Sequence, residues 1–157
     1  MATATQNPKA QQQTPPAGNQ MARRKPMVLA RDEEISELET AISRCGETFA
    51  LSSGTLARSF AMARGLRQLN ELITEPMLDE IMELMDSPLG FQTDRDPMNF
   101  DKNGKPLVPY GRDVVKRCVI EAAIRGARWV GNEFNIIAKR PYLAKGFFQR
   151  RVSEIEG

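Results

Sequence analysis

The chain contains no histidine, only two cysteines and one tryptophan, and no long apolar run among its 157 residues. Without an imidazole, Ser-His-Asp and Cys-His catalysis and His-ligated zinc or iron are excluded, because each needs that ring as base or ligand. Cys45 and Cys118 lie far apart, form no Cys-x-x-Cys pair and fall within apolar helical patterns, so both read as buried free thiols. No stretch approaches the ~18 apolar residues of a membrane span, and the first residues lack the apolar core of a signal peptide. The expectation is a soluble, cytoplasmic chain with no membrane partner. The phosphate loop Gly-x-x-x-x-Gly-Lys-Ser/Thr, Gly-x-Gly-x-x-Gly and the nucleophile elbow Gly-x-Ser-x-Gly are missing too, so ATP-driven and hydrolase readings lose support. Neither catalysis nor a cofactor is expected.

What is present suits one modest domain with extensions: 41% of residues are apolar and 27% charged. The net charge of +2 hides strong blocks. Residues 1–30 hold four basic and no acidic side chains, 31–60 three and six, 61–100 three and eight, and 101–157 twelve and six.

Residues 1–30 are rich in Gln, Pro, Thr and Ala and cannot bury enough apolar area to offset their ordering entropy, so a disordered tail is expected there. Its Arg23-Arg24-Lys25 cluster reads as solubilising. From 31 to 90 the pattern is helical. Ile35, Leu38, Ile42 and Cys45 mark a first helix starting at Asp32, with Gly46 as its expected stop. Ser52 or Ser53 would cap a second helix over about 54–73. Pro76 opens a third helix, whose Met77, Leu78, Ile81, Met82, Leu84 and Met85 read as core filling, ended by Pro88 and Gly90. Glu71, Glu75, Asp79 and Glu83 repeat every fourth residue. That row is either a solvated face or a surface meeting something basic, the chain's own basic block included.

Residues 91–111 have no helical period and hold Asn103-Gly104 and three prolines, which predicts a long loop or irregular hairpin turning at that pair. Asn99, Asp101, Asn103 and Gly104 match the early positions of a calcium loop, but Tyr110 falls where its bidentate glutamate must stand, so a turn is the reading. Asp94, Asp96 and Asp101 are candidate magnesium ligands, with a solvated turn as the simpler account.

The segment 112–157 reads as a basic helix-hairpin-helix unit. A helix from Arg112 or Asp113 carries Val114 or Val115, Cys118, Val119, Ala122 and Ala123 in one stripe and stops at Gly126. Strand-like Asn132–Ala138, with Phe134 and Ile136 on one face, leads to a turn expected at Lys139-Arg140-Pro141. Tyr142 and Leu143 form the return strand, and a last helix runs from Phe147 to Ile155. The fold class is α+β: a mainly helical chain with a short C-terminal hairpin. Between 112 and 151 there are ten Lys and Arg against three acids. Interleaved are Trp129, Phe134, Tyr142, Phe147 and Phe148, candidate stacking surfaces for bases while cations such as Arg117, Arg125 and Arg128 track phosphates. The same aromatics suit a small hydrophobic core equally well.

Residues 114–152, VVKRCVIEAAIRGARWVGNEFNIIAKRPYLAKGFFQRRV, resemble the opening of the core in the RecT/Redβ-like phage recombinases, the single-strand annealing proteins. In that family a helix ending in a small-residue turn leads into a β-hairpin and a Lys/Asp-Gly-aromatic step, matched here by Cys118–Gly126, Asn132–Tyr142 and Lys145-Gly146-Phe147. The chain departs at the hairpin turn, where a glycine is expected. In that family the core would continue with further strands and helices past the position of Gly157, so the resemblance implies a truncated or degenerate annealing core. The resemblance implies an ATP-independent protein that binds single-stranded DNA, assembles into homo-oligomers along it and pairs complementary strands. It makes Lys139, Arg140, Lys145, Arg150 and Arg151 phosphate-contact candidates, and Tyr142 and Phe147 stacking or packing residues. It also raises a contact between the acidic 61–100 block of one copy and the basic 112–151 block of a neighbour. Two other readings stay open: a non-enzymatic helical interaction or phage accessory protein, and a metal-dependent nuclease using the Asp94–Asp101 loop.

Overall fold

A computed structural model describes residues 29–51 and 56–157. Residues 1–28 of the tail, with the Arg23-Arg24-Lys25 cluster, and the Ser52/Ser53 caps lie outside them. The elements in chain order are α1 (Asp32–Leu51), α2 (Leu56–Leu72), α3 (Glu75–Leu84), β1 (Gln92–Thr93), α4 (Arg112–Ile124), β2 (Phe134–Ile137), β3 (Arg140–Leu143) and α5 (Lys145–Glu156). The strands form one sheet in the order β1-β2-β3, with β1 parallel and β3 antiparallel to β2. This is the expected α+β arrangement of helices followed by a hairpin and a helix.

α4 is the centre of the molecule. Val115, Cys118, Val119 and Ala122 are fully buried, and Ile120, Ala123 and Ile124 nearly so, because α1, α2 and α3 pack around the helix while β2 and β3 cover another side. Gly126 ends it with φ +85°: Ala127 N–H donates to the Ala122 carbonyl and Gly126 N–H to that of Ala123. Those paired bonds satisfy carbonyls that the helix end would otherwise leave open, and the left-handed backbone they require favours glycine. Beneath the sheet Phe91 and Phe134, both fully buried, stack with ring centroids 4.8 Å apart. Ile136 joins them on the buried face of β2, as the alternation predicts.

Two sequence expectations are corrected. Gly46 does not stop the first helix, which runs on to Leu51. A Cβ at Gly46 would stand 3.4 Å from the Ile124 carbonyl oxygen, an ordinary contact distance, so the position lies inside the helix beside the end of α4 and takes helical backbone like its neighbours. The hairpin turn is Ala138-Lys139, one residue earlier than expected and two residues long, closed by the pair Ile137 and Arg140. Both turn residues have positive φ, +49° and +64°. That is the backbone whose twist matches the flanking strands, normally supplied by Asn-Gly. Pro141 belongs to β3 opposite Ile136. Beyond a two-residue turn this second pair is not hydrogen-bonded, so the proline nitrogen faces the free edge of the sheet, where its missing N–H costs nothing.

The methionines of the third helix pack as core filling: Met77 is buried and Met82 and Met85 lie against the core. Cys45 and Cys118 are free and buried, and burial pushes both thiols up in pKa. Of the acidic row, Glu75 and Asp79 are engaged within the chain by the Arg112 guanidinium, at 2.6 Å for Glu75 and in close contact for Asp79. These two carboxylates of the acidic 61–100 block therefore already meet the chain's own basic block.

Candidate nucleic-acid interface

On the solvent side of α4, Arg117, Glu121 and Arg125 follow one another at four-residue spacing and so share a face. The hairpin rises beside that face, and α5 closes one end. Between them lies an open concavity of about 840 Å³, to which Lys139, Arg140, Tyr142 and Phe148 also contribute. Four cations and one acid thus line a single hollow, and the acid, Glu121, is paired with Arg125. Tyr142 and Phe148 are 49% and 55% exposed, giving the hollow two aromatic faces.

The hairpin is latched to α4 and to the preceding loop. Arg117 Nη2 donates to the Lys139 carbonyl at 3.1 Å, and the Cys118 thiol donates to the same oxygen at 3.5 Å. Tyr110, itself buried, accepts from Lys139 N–H at 3.1 Å and donates to Asp94 at 2.6 Å. The second Asp94 oxygen accepts from Ala138 N–H at 3.1 Å. Partial desolvation works against ionisation of Asp94, but the bonds from Tyr110 and Ala138 outweigh it and hold the carboxyl below the usual carboxylate range.

The predicted site residues divide. Arg117, Arg125, Lys139, Arg140 and Tyr142 come together in the hollow. Lys145 stands just outside it, beside Phe148 on the outer face of α5. Arg151 is exposed and paired with Glu154 at 3.1 Å. Arg128 lies elsewhere, on the rim of an apolar groove with Trp129 and Val130.

Arg150 turns inward. Its Nε and Nη2 grip the buried Glu133 carboxylate at 2.5 and 2.8 Å, and Nη2 also donates to the Gly126 carbonyl at 2.7 Å. Glu133 accepts a further bond from Arg128 N–H at 2.8 Å. The Arg150 bonds chiefly, against the cost of burial, hold the Glu133 carboxyl below the usual range. Phe147 is also inward, under the Arg150 guanidinium, while Phe148 takes the exposed position. The two rings are adjacent in sequence, so the helix phase separates them: Phe147 joins the core cluster and Phe148 faces out. Trp129 donates Nε1–H to the Val119 carbonyl, and Phe134 is core, so neither presents a stacking face in the hollow. Glu121 was not foreseen as part of the site, although its four-residue spacing from Arg117 and Arg125 marks it.

The loop carboxylates serve turns. Asp96 accepts from Met98 N–H, and Asp101 from Asn103 and Lys105 N–H, with Gly104 at φ +74°. Among the described residues no group of three or more His, Cys, Asp or Glu is placed to hold a metal ion, and no helix is long and apolar enough to cross a membrane. Compared with protein-family models, with curated proteins and with solved structures, the chain matches none.

Proposed function

We propose that this chain binds single-stranded DNA in the hollow between α4 and the hairpin and, as a RecT/Redβ-like phage recombination protein assembled along the strand, promotes annealing without ATP. The observation that carries the reading is the convergence of Arg117, Arg125, Lys139 and Arg140 with Tyr142 and Phe148 on one open surface. Cations on opposite walls suit a backbone running between them, and exposed rings suit unstacked bases of any identity. Annealing then needs no catalytic residue. Neutralised phosphates remove the repulsion between strands, and base pairing drives the product.

Four phosphate contacts on a single strand give a slope of log affinity against log salt of about −3. Titration of a labelled oligonucleotide and its duplex across a salt series, with annealing followed in parallel, tests the reading. Single-strand preference, a slope near that value and accelerated annealing are expected. Salt-independent absence of binding would refute it. A second reading, a helical interaction protein, draws on the outer face of α5, where Phe148, Val152 and Ile155 are exposed at helical spacing. A stable complex with a protein partner and no DNA binding would favour that reading.

A further inference from the structure

The turn that carries Lys139 into the hollow has an unusual backbone for its residues. Ala138 and Lys139 both have positive φ, yet neither is glycine or asparagine, the residues that adopt this region readily. Their polar groups are held from outside the hairpin. Ala138 N–H is taken by Asp94, Lys139 N–H by Tyr110, and the Lys139 carbonyl by Arg117 and Cys118. Asp94 and Tyr110 are joined to each other, and Asp94 N–H donates to the Ile136 carbonyl at 3.1 Å. The two ends of the 91–111 segment therefore meet under the turn.

From this geometry we infer that Asp94 and Tyr110 are positioning residues of the interface, which hold Ala138 and Lys139 in the left-handed region so that Lys139 and Arg140 face the hollow. Neither residue lines the hollow itself. The inference rests on the proposed DNA-binding reading and adds to it what sets the geometry of the cations. The 91–111 loop, which holds the metal candidates of the nuclease reading, acquires a structural purpose at Asp94.

Two substitutions test it. Tyr110→Phe keeps the buried ring and changes no charge, removing only the hydroxyl between Lys139 and Asp94. Asp94→Asn keeps the size and removes one acceptor. It also deletes a negative charge near a cationic surface, which by Coulomb attraction alone would tighten binding. Positioning predicts the opposite sign. Both variants should bind a single-stranded oligonucleotide about five- to tenfold more weakly at low salt, the effect of losing one or two partly buried hydrogen bonds. The salt slope should become shallower by up to about 1.4, as two cations lose register.

In the protein alone, amide exchange at Ala138 and Lys139 should accelerate while the unfolding transition stays cooperative. Adding Ala138→Asn, which suits the left-handed backbone, should restore both protection and affinity. Tighter binding by Asp94→Asn, unchanged exchange at the turn, or restored protection without restored affinity would each overturn the inference. A parent protein that binds no oligonucleotide would defeat the DNA-binding reading itself, and it would do so before any substitution was made.

Discussion

Replacing Arg150 by methionine keeps most of the side-chain stem and removes the guanidinium from a carboxylate that has little access to water. The Glu133 side chain is 6% exposed and that of Arg150 18%. Four bonds vanish with it: two to Glu133, one to the Gly126 carbonyl and one to Glu154. Glu133 keeps only the Arg128 amide as a donor. Breaking a buried pair by removing one partner costs ~3–5 kcal/mol, and the surviving amide and partial solvation of Arg150 place this case near 3 kcal/mol. For a chain of this size that lowers Tm by about 10 °C.

Glu133→Gln leaves Arg150 its contacts with Gly126 and Glu154 and should cost about 1.5–2 kcal/mol. Because the two changes remove the same interaction, the double variant should be less destabilised than the sum by about 2 kcal/mol. Urea unfolding followed by circular dichroism supplies all four corners of the cycle. A cost under about 1 kcal/mol for Arg150→Met, or strict additivity, would refute an interior role for this pair. The same variant carries a functional corollary: Arg150→Met should leave the salt slope of oligonucleotide binding unchanged, since its guanidinium faces Glu133 and not the hollow.

Three further outcomes are expected. Gly90→Ala places a Cβ 1.8 Å from the Leu84 carbonyl oxygen, so the backbone of the 84–90 turn must move; a loss of at least about 2 kcal/mol is expected from urea unfolding, and an unperturbed midpoint would contradict it. The folded-state pKa of Glu133 lies below its unfolded value, near 4.3, so its stabilisation is complete above that value and disappears as pH falls through the folded one. Between about pH 4.3 and the onset of acid unfolding, Glu133→Gln should therefore show a flatter dependence of stability on pH than the parent, measurable by urea titration at each pH. Arg112→Ala removes two ion pairs, with Glu75 and Asp79, whose side chains are 78% and 49% exposed, and should cost no more than about 1 kcal/mol, with Tm as the readout.

Much of the fold was legible because periodicity and caps agree. The α4 stripe from Val115 to Ala123 and the Gly126 stop announce both the helix and its end, and Phe134 and Ile136 alternate as a half-buried strand must. Gly46 misled because a glycine after an apolar period reads as a stop, yet an interior glycine costs a helix only about 1 kcal/mol and α1, packed against α2 and α4, runs through it. The Ala138-Lys139 turn was hidden for a different reason. Its residues are not those that favour positive φ, and the bonds that hold it come from Asp94 and Tyr110, distant in the chain. β1 is two residues long and has no alternation to read. In the site, the count of cations was visible but not their direction. Arg150 points inward because Glu133, an isolated acid in a basic stretch, is buried beneath it, while Phe147 packs into the core. That single acid was the available signal.

The central claim is that the hollow between α4 and the hairpin takes a nucleic-acid strand, and its most direct test compares the parent with Arg117→Ala/Lys139→Ala in single-stranded oligonucleotide binding across a salt series. The account predicts weaker binding at every salt concentration and a slope shallower by about 1.4, two cations' worth of released counterions. A parent that binds with the same slope as the double variant would place the contacts elsewhere on the molecule and contradict it.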